Sequence, residues 1–501
     1  MKLFSSLSIL ALVLSSASTA TARRRDPHRV CCSALNKETD LKGKVFSHDD
    51  SFYEKRLATY YSANAAQAPW CMVLPESTSD VSTIARVLEK NHCPFGIRSG
   101  AHSAFKGSNG IKNGVTIDFG YMNSTTYNEQ TKIASIGPGA KWGSVYHALD
   151  PYGVSAVGGR ASVVGVGGFT TGGGYSFHTN SVGFACDMVA NFEVVLANGS
   201  VVNANSNENA DLWKALKGGS GNFGFVTRID QHTVQGNKMW GGFVNYDQSK
   251  RDAVFHAYLN FANGMDKDPY SQNIVSVRYD KNGYSLLAVL SNVQAKTDAP
   301  AFNEYKSIAN ISNTLAVGSI ADLVPQFTGP TPLGLYANWM VGQTAHDFRI
   351  MDFIDKKHKE YCQRMSAAAP GADFDVLIQF QPVTKSIVDH GIKNGGNSMG
   401  LQDVVANGPS LMWLIALTVD TPENQQIILP LALAYRREIE NYAKSLGLHN
   451  NWKYINYAWK DQRPISTHGK ETVKFLKSVA KEFDPHRVFQ KLRKTGFKLR
   501  G

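Results

Sequence analysis

Apolar positions Val81, Ile84, Ala85 and Leu88 recur at helical spacing behind Asp80, which predicts an amphipathic helix over residues 79–91. Short apolar runs then predict strands at 95–97, 115–119 and 133–136, the last leading through Gly137-Pro138-Gly139 into a helix that begins near Trp142. Residues 188–196 are rich in β-formers, Asn198-Gly199 is a hairpin turn into Val201-Val202, and 211–216 reads as a helical turn. From about residue 235 the pattern changes. Strands are predicted at 241–246, 274–279, 285–291, 375–381 and 411–417, separated by helical stretches at 249–262, 345–367 and 422–445. Strands and helices segregated in this way predict an α+β protein whose second domain is an antiparallel sheet backed by helices.

Three glycine clusters interrupt the first half: Arg98-Ser99-Gly100-Ala101-His102-Ser103, Gly165-Val166-Gly167-Gly168-Phe169-Thr170-Thr171-Gly172-Gly173-Gly174, and Gly219-Ser220-Gly221-Asn222-Phe223-Gly224-Phe225-Val226. Glycine offers its N–H with no side chain in the way, so the clusters point to bare backbone approaching a bulky anionic ligand such as a dinucleotide. No Gly-Lys-Ser/Thr closes any of them, which excludes a Walker A loop, and none opens a βαβ unit as a Rossmann fingerprint does.

Composition narrows the setting. A chain of 501 residues, 43% hydrophobic and 19% charged, buries a large core and divides into two domains. Residues 1–22 have the layout of a secretory signal peptide, with an apolar run too short to span a bilayer and Ala20-Thr21-Ala22 at its end. Arg23-Arg24-Arg25 follows as a second processing site or a basic tail. The formal charge of +11 is scattered, which fits a solvated surface of a secreted monomer better than a nucleic-acid or membrane partner. Six cysteines in an oxidising compartment permit fifteen pairings, and no metal-ligand spacing occurs among them. Asn123, Asn198 and Asn310 head glycosylation sequons.

The first two glycine clusters, Gly-Asn-Phe-Gly-Phe-Val, Tyr454-Ile455-Asn456-Tyr457 and Phe483-Asp484-Pro485-His486-Arg487-Val488-Phe489 together resemble the flavin-binding fold of vanillyl-alcohol-oxidase type, in its berberine-bridge-enzyme-like branch. The resemblance implies a two-part FAD-binding domain, residues 45–235 with a C-terminal return at 454–501, around a substrate domain at 236–453. It implies a single covalent link from FAD to His102, because the position where relatives carry a second, cysteinyl link is Ala161. The flanking Arg98, Ser99, Gly100, Ala101 and Ser103, then Gly165, Val166, Gly167, Gly168, Thr171, Gly172 and Gly173, are expected to wrap the cofactor, with Val226 at its adenine end. It also favours a Cys32–Cys93 disulfide.

Catalysis falls by the same resemblance to Tyr457 as base, with Tyr454 and Asn456 beside it. On a strand 454 and 456 share a face that 457 does not, so the two tyrosines do different work. Relatives place a carboxylate on a substrate-domain strand, but residues 411–418 contain none. That leaves an apolar chamber walled by Trp413, with Gln379 and Gln381 as neutral hydrogen-bonding groups. The implied protein is a secreted FAD-linked oxidoreductase that passes hydride from a small organic substrate to flavin, with O2 as acceptor, and acts as a fungal secondary-metabolite tailoring oxidase. An extracellular carbohydrate oxidase and a non-catalytic secreted flavoprotein remain as alternatives.

Overall fold

The computed structural model describes residues 27–329 and 332–499, so the signal-peptide segment 1–22 and Arg23–Arg25 lie outside the described residues. The amphipathic helix runs over Thr78–Lys90 with Ser77 as its cap, the Ser77 hydroxyl oxygen accepting from the Asp80 N–H at 3.1 Å. Its buried stripe of Val81, Ile84, Ala85 and Leu88 packs in one core with strands Phe95–Arg98 and Val115–Asp118. Those strands are parallel to each other and belong to a four-stranded sheet that also contains Cys71–Val73 and Val45–Phe46.

Two disulfides close this end, and they correct the expected Cys32–Cys93 pairing. Cys31 bonds to Cys93 and Cys32 to Cys71, with Cα–Cα distances of 5.8 and 6.1 Å. Both cysteines sit on the helix Pro27–Lys37, where consecutive side chains point about 100° apart, so neighbours in sequence reach different partners. Cys186 and Cys362 are free and buried.

A five-stranded antiparallel sheet follows in the order Thr125–Asn128, Ile133–Ile136, Phe225–His232, Val189–Val195, Val201–Asn205. Beyond it stands a nine-stranded antiparallel sheet. Its central strands are Ser271–Asp280, Phe374–Val383, Ser410–Val419 and Tyr336–Ala345. Helices Arg251–Asn263, Phe348–Ala368 and Pro422–Ser445 cover one face and share its core. The α+β reading with a helix-backed antiparallel sheet therefore describes the molecule.

The strand Tyr336–Ala345 escaped the sequence pattern because buried polar residues break its alternation. Asn338 donates to Gln425 Oε1 at 2.8 Å and Gln343 to Ser410 Oγ at 2.6 Å, so both amide nitrogens are satisfied inside, while Gln343 Oε1 has no partner among the described residues.

The chain returns at its end to the first sheet. The Asp484 carboxylate accepts from the Val488 and Phe489 N–H groups at 2.7 and 2.8 Å. The Phe489 ring meets Phe225 and Phe95 with centroids 5.0 and 5.8 Å apart, and Arg493 pairs with Phe95 in a β-bridge. Among the described residues no helix is long and apolar enough to cross a membrane.

Candidate active site

A cavity of about 660 Å3 lies between the uncovered face of the nine-stranded sheet and the glycine-rich loops. Its size is that of a cofactor or drug-sized ligand site. Strand alternation decides which residues enter it. Ile97 and Ser99 line the cavity, while Arg98 points the other way, fully buried, 3.3 Å from the Asp118 carboxylate and stacked on the Tyr60 ring at 4.0 Å. The expectation that Arg98 touches a cofactor is thereby corrected; it holds the sheet to the 56–60 loop.

His102 stands at the cavity wall directly after Ala101, a non-glycine residue with a left-handed φ of 57°. Its imidazole stacks on Tyr61 at 4.0 Å and meets the edge of Trp339 at 5.4 Å. Burial, with the Lys141 charge adding to it, pulls the His102 ring down to about 4, so it is neutral and carries a free lone pair at ordinary pH. Gly100, Ala101 and Ser103 line the cavity beside it, and their main-chain N–H groups have no acceptor among the described residues.

The second cluster is used differently from its sequence reading. Gly165, Gly167, Gly168 and Thr171 border the cavity, but Val166, Gly172 and Gly173 do not. The Val166 and Gly167 N–H groups already donate to Ala140 and Pro138 carbonyls at 2.9 and 3.1 Å. A Cβ on Gly100 or Gly165 would penetrate the other's backbone, and one on Gly172 would strike the Asn456 amide. Most of these glycines therefore let chain meet chain. Gly168 is the exception: a Cβ there would meet nothing within 4 Å. Val226 borders the cavity from the strand after the third cluster.

The segment predicted as a strand at 454–457 is a single 3-10 turn, Ile455–Tyr457, and this separates the two tyrosines. Tyr454 is off the cavity. Its hydroxyl oxygen accepts from the Gly174 and Tyr175 N–H groups at 2.9 and 3.0 Å and from the Asn456 amide at 3.1 Å, and burial pushes its pKa up. That places Tyr454 as an anchor of the second glycine loop. Asn456 lines the cavity and also donates to the Phe169 carbonyl at 3.0 Å.

Tyr457 faces the cavity, its ring 5.5 Å from Trp339, and its hydroxyl accepts from Arg160 Nη2 at 3.1 Å. The same nitrogen donates to Gln381, and the guanidinium lies 4.4 Å over the Tyr175 ring. Arg160, Tyr61 and Trp339 were not singled out by sequence; only their distant neighbours in the fold give them a role. No local pattern marks them.

The sheet wall is mostly apolar, with Leu287, Val289, Leu377, Leu414 and Ala416 pointing in. Trp413, expected as its wall, sits on the opposite face of the same strand, buried over Gly342 among the helices. Trp339 supplies the tryptophan instead, from the strand paired with it. Gln379 lines the cavity, while Gln381 reaches it only through Arg160. Asp375, on the strand beside 411–418, does bring a carboxylate, but it is tied to Arg278 Nε at 2.6 Å. The three sequon asparagines are all exposed.

These features fit a flavin dinucleotide: a long trough, unpaired loop amides for phosphate, a neutral imidazole in an aromatic cage, and a phenol at the chamber's edge. Residues 69–205 match an FAD binding domain model. The chain is 36% identical over 484 residues to the FAD-dependent monooxygenase drtC of Aspergillus calidoustus, spanning 94% of this chain and 90% of that protein. It is 34% identical to the FAD-dependent monooxygenase sdcF of Emericella nidulans, over 94% and 98% of the two chains. Among solved structures, 6-hydroxy-D-nicotine oxidase of Arthrobacter nicotinovorans superposes with a TM-score of 0.76 at 20% identity, covering 93% of this chain and 99% of that one. A glucooligosaccharide oxidase of Acremonium strictum does so with 0.73 at 19%, covering 95% and 99%. With its fold, its cavity and relatives along nearly its whole length in agreement, the chain belongs to the FAD-dependent oxidoreductases that these monooxygenases represent, on a fold of vanillyl-alcohol-oxidase type.

Proposed function

We propose that the protein is a secreted oxidase that carries FAD on a single bond to His102 and oxidises an apolar, hydroxylated small molecule in fungal secondary metabolism, with O2 as final acceptor. Bound FAD supplies the hydride acceptor. Everything else falls to the chain. The aromatic cage of Tyr61 and Trp339 fixes the neutral His102 ring that the attachment requires. Tyr457 Oη relays the substrate's hydroxyl proton as hydride departs, taking that proton up while its own passes to water, so that the substrate leaves as a carbonyl compound. Arg160 Nη2, already donating to that oxygen, keeps it in place through the exchange. Asn456 braces the glycine loop against this turn.

The observation that carries the reading is the presence of His102 and Tyr457 on one cavity, each within ring contact of Trp339 and facing an apolar sheet. A single link is supported by Ala161, which borders the cavity where a cysteine would be needed, and by the distance of the free cysteines: neither Cys186 nor Cys362 lines it. The Acremonium oxidase, by contrast, is described with a 6-S-cysteinyl, 8α-N1-histidyl FAD. Two disulfides and exposed sequons support passage through an oxidising compartment. The relatives' monooxygenase names support a place in fungal secondary metabolism. The apolar wall supports a phenolic or alcoholic metabolite over a sugar chain.

The test is anaerobic reduction of the purified protein with a panel of aromatic alcohols, phenols and oligosaccharides. Bleaching of the flavin absorbance by an aromatic hydroxyl compound, with recovery and peroxide on admitting O2, is expected. Bleaching by oligosaccharides alone would overturn the substrate reading.

A further inference from the structure

Among the described residues, four charged side chains border the cavity: Arg160, Arg278, Asp375 and Arg493. Arg278 and Asp375 neutralise each other, and Arg160 serves Tyr457. Arg493 is left without a counter-charge. It is 4% exposed, and no carboxylate among the described residues lies within ion-pair distance of it. Its partners are neutral. Nη2 donates to Asn222 Oδ1 at 2.7 Å and to the Phe497 carbonyl at 2.9 Å, and Nε to the Phe489 carbonyl at 3.4 Å. Burial draws the guanidinium down to about 9. A buried cation held only by dipoles is costly unless an anion joins it.

Nη1 is the end with no acceptor among the described residues, and two glycines clear the space around it. A Cβ on Gly496 would lie 2.9 Å from Nη1, and one on Gly221 would lie 3.6 Å away. Both glycines border the cavity. The Gly496 N–H donates to the Gly107 carbonyl at 2.9 Å, which ties this C-terminal turn to the loop that follows His102. The unpaired amides of Gly100, Ala101 and Ser103 open on the same cavity. By contrast, the second glycine cluster has spent its Val166 and Gly167 amides on the chain itself. The cavity therefore needs a source of positive charge for an anionic ligand, and this side chain is the one in place.

We propose that Arg493 is the cationic contact for the phosphate groups of the bound dinucleotide, reaching them with Nη1 between Gly221 and Gly496. This rests on the cavity being the FAD site. A purely structural arginine would need only its Nε and Nη2 bonds, and their loss would weaken the fold without regard to ligand charge.

The experiment uses a His102→Ala background, in which the flavin exchanges, and compares FAD, ADP and riboflavin binding with and without Arg493→Met. FAD and ADP affinities are expected to fall about tenfold to a hundredfold, as for loss of one charge-assisted hydrogen bond, while riboflavin, which lacks phosphate, changes little. Arg493→Lys should recover part of the loss, and the salt dependence of ADP binding should shrink in Arg493→Met. Unchanged FAD and ADP affinities, or an equal loss for riboflavin, would overturn the proposal. If Arg493→Met does not fold, inorganic pyrophosphate decides in the His102→Ala protein: competition with ADP is expected, and its absence contradicts. None of these readouts uses turnover, so an error in the proposed substrate chemistry leaves them unaffected.

Discussion

Tyr457→Phe is expected to slow anaerobic reduction of the flavin by substrate about a hundredfold to ten-thousandfold, the range typical of losing a general base. The hydroxyl lies on the cavity wall and, among the described residues, its hydrogen-bond partner is the Arg160 guanidinium, which has no site to accept a proton, so no neighbouring group takes over its role. Ring packing survives the change, because the contacts with Trp339 and Tyr454 are made by the ring itself, at 5.5 and 4.9 Å. Flavin content and KM should stay near those of the parent, and the loss should sit in the reductive rate measured by stopped flow. Tyr454→Phe gives the contrast. Its oxygen accepts three internal donors and none of its atoms borders the cavity, so it should cost stability and leave the chemistry largely alone. A Tyr457→Phe protein reduced at a near-parental rate would remove this residue from the proposed mechanism.

The second large effect belongs to Gly100→Ala. A methyl group there would penetrate the Cα and N of Gly165, and backbone on both sides leaves nothing flexible to give way. The two loops meet at this point, with His102 two residues along one of them and the helix Val166–Thr171 opening on the other. Separating them moves the imidazole relative to the rest of the trough. Overpacking of this kind costs typically ~1–3 kcal/mol, which in a site that must hold two loops in register is expressed as loss of cofactor as well as of stability. Purified Gly100→Ala protein should carry well under half the flavin of the parent and melt earlier. Gly168→Ala is the internal comparison, since its Cβ meets nothing within 4 Å. Full flavin content in Gly100→Ala would mean that the loops do not depend on this contact.

What the sequence reveals and conceals follows from the range of each signal. Helical and strand periodicities are local, and the helix at Thr78–Lys90 and the strand at Ile133–Ile136 fall within a residue of their predicted places. Facing is harder. Period-2 alternation says that Trp413 and Leu414 lie on opposite faces but not which face meets the helices, and the larger aromatic went to the helix side. The same one-residue ambiguity put Arg98 into the site, whereas Arg493 is hidden by its distance along the chain. Arg493 lies nearly 400 positions further along the chain, and only the β-bridge to Phe95 brings it back. Glycines signalled close approach correctly, yet not what approaches. Gly100 and Gly165 meet each other, and Gly172 meets Asn456. The disulfide partners were misjudged because two adjacent cysteines on a helix look interchangeable in sequence and are not so in space.

The attachment at His102 is tested most directly by digesting the denatured, purified protein and weighing its peptides. The peptide containing His102 should carry the added mass of FAD and account for the yellow colour of the acid-precipitated chain. Recovery of that peptide at its unmodified mass, with the flavin free in the supernatant or bonded to another residue, would contradict the account.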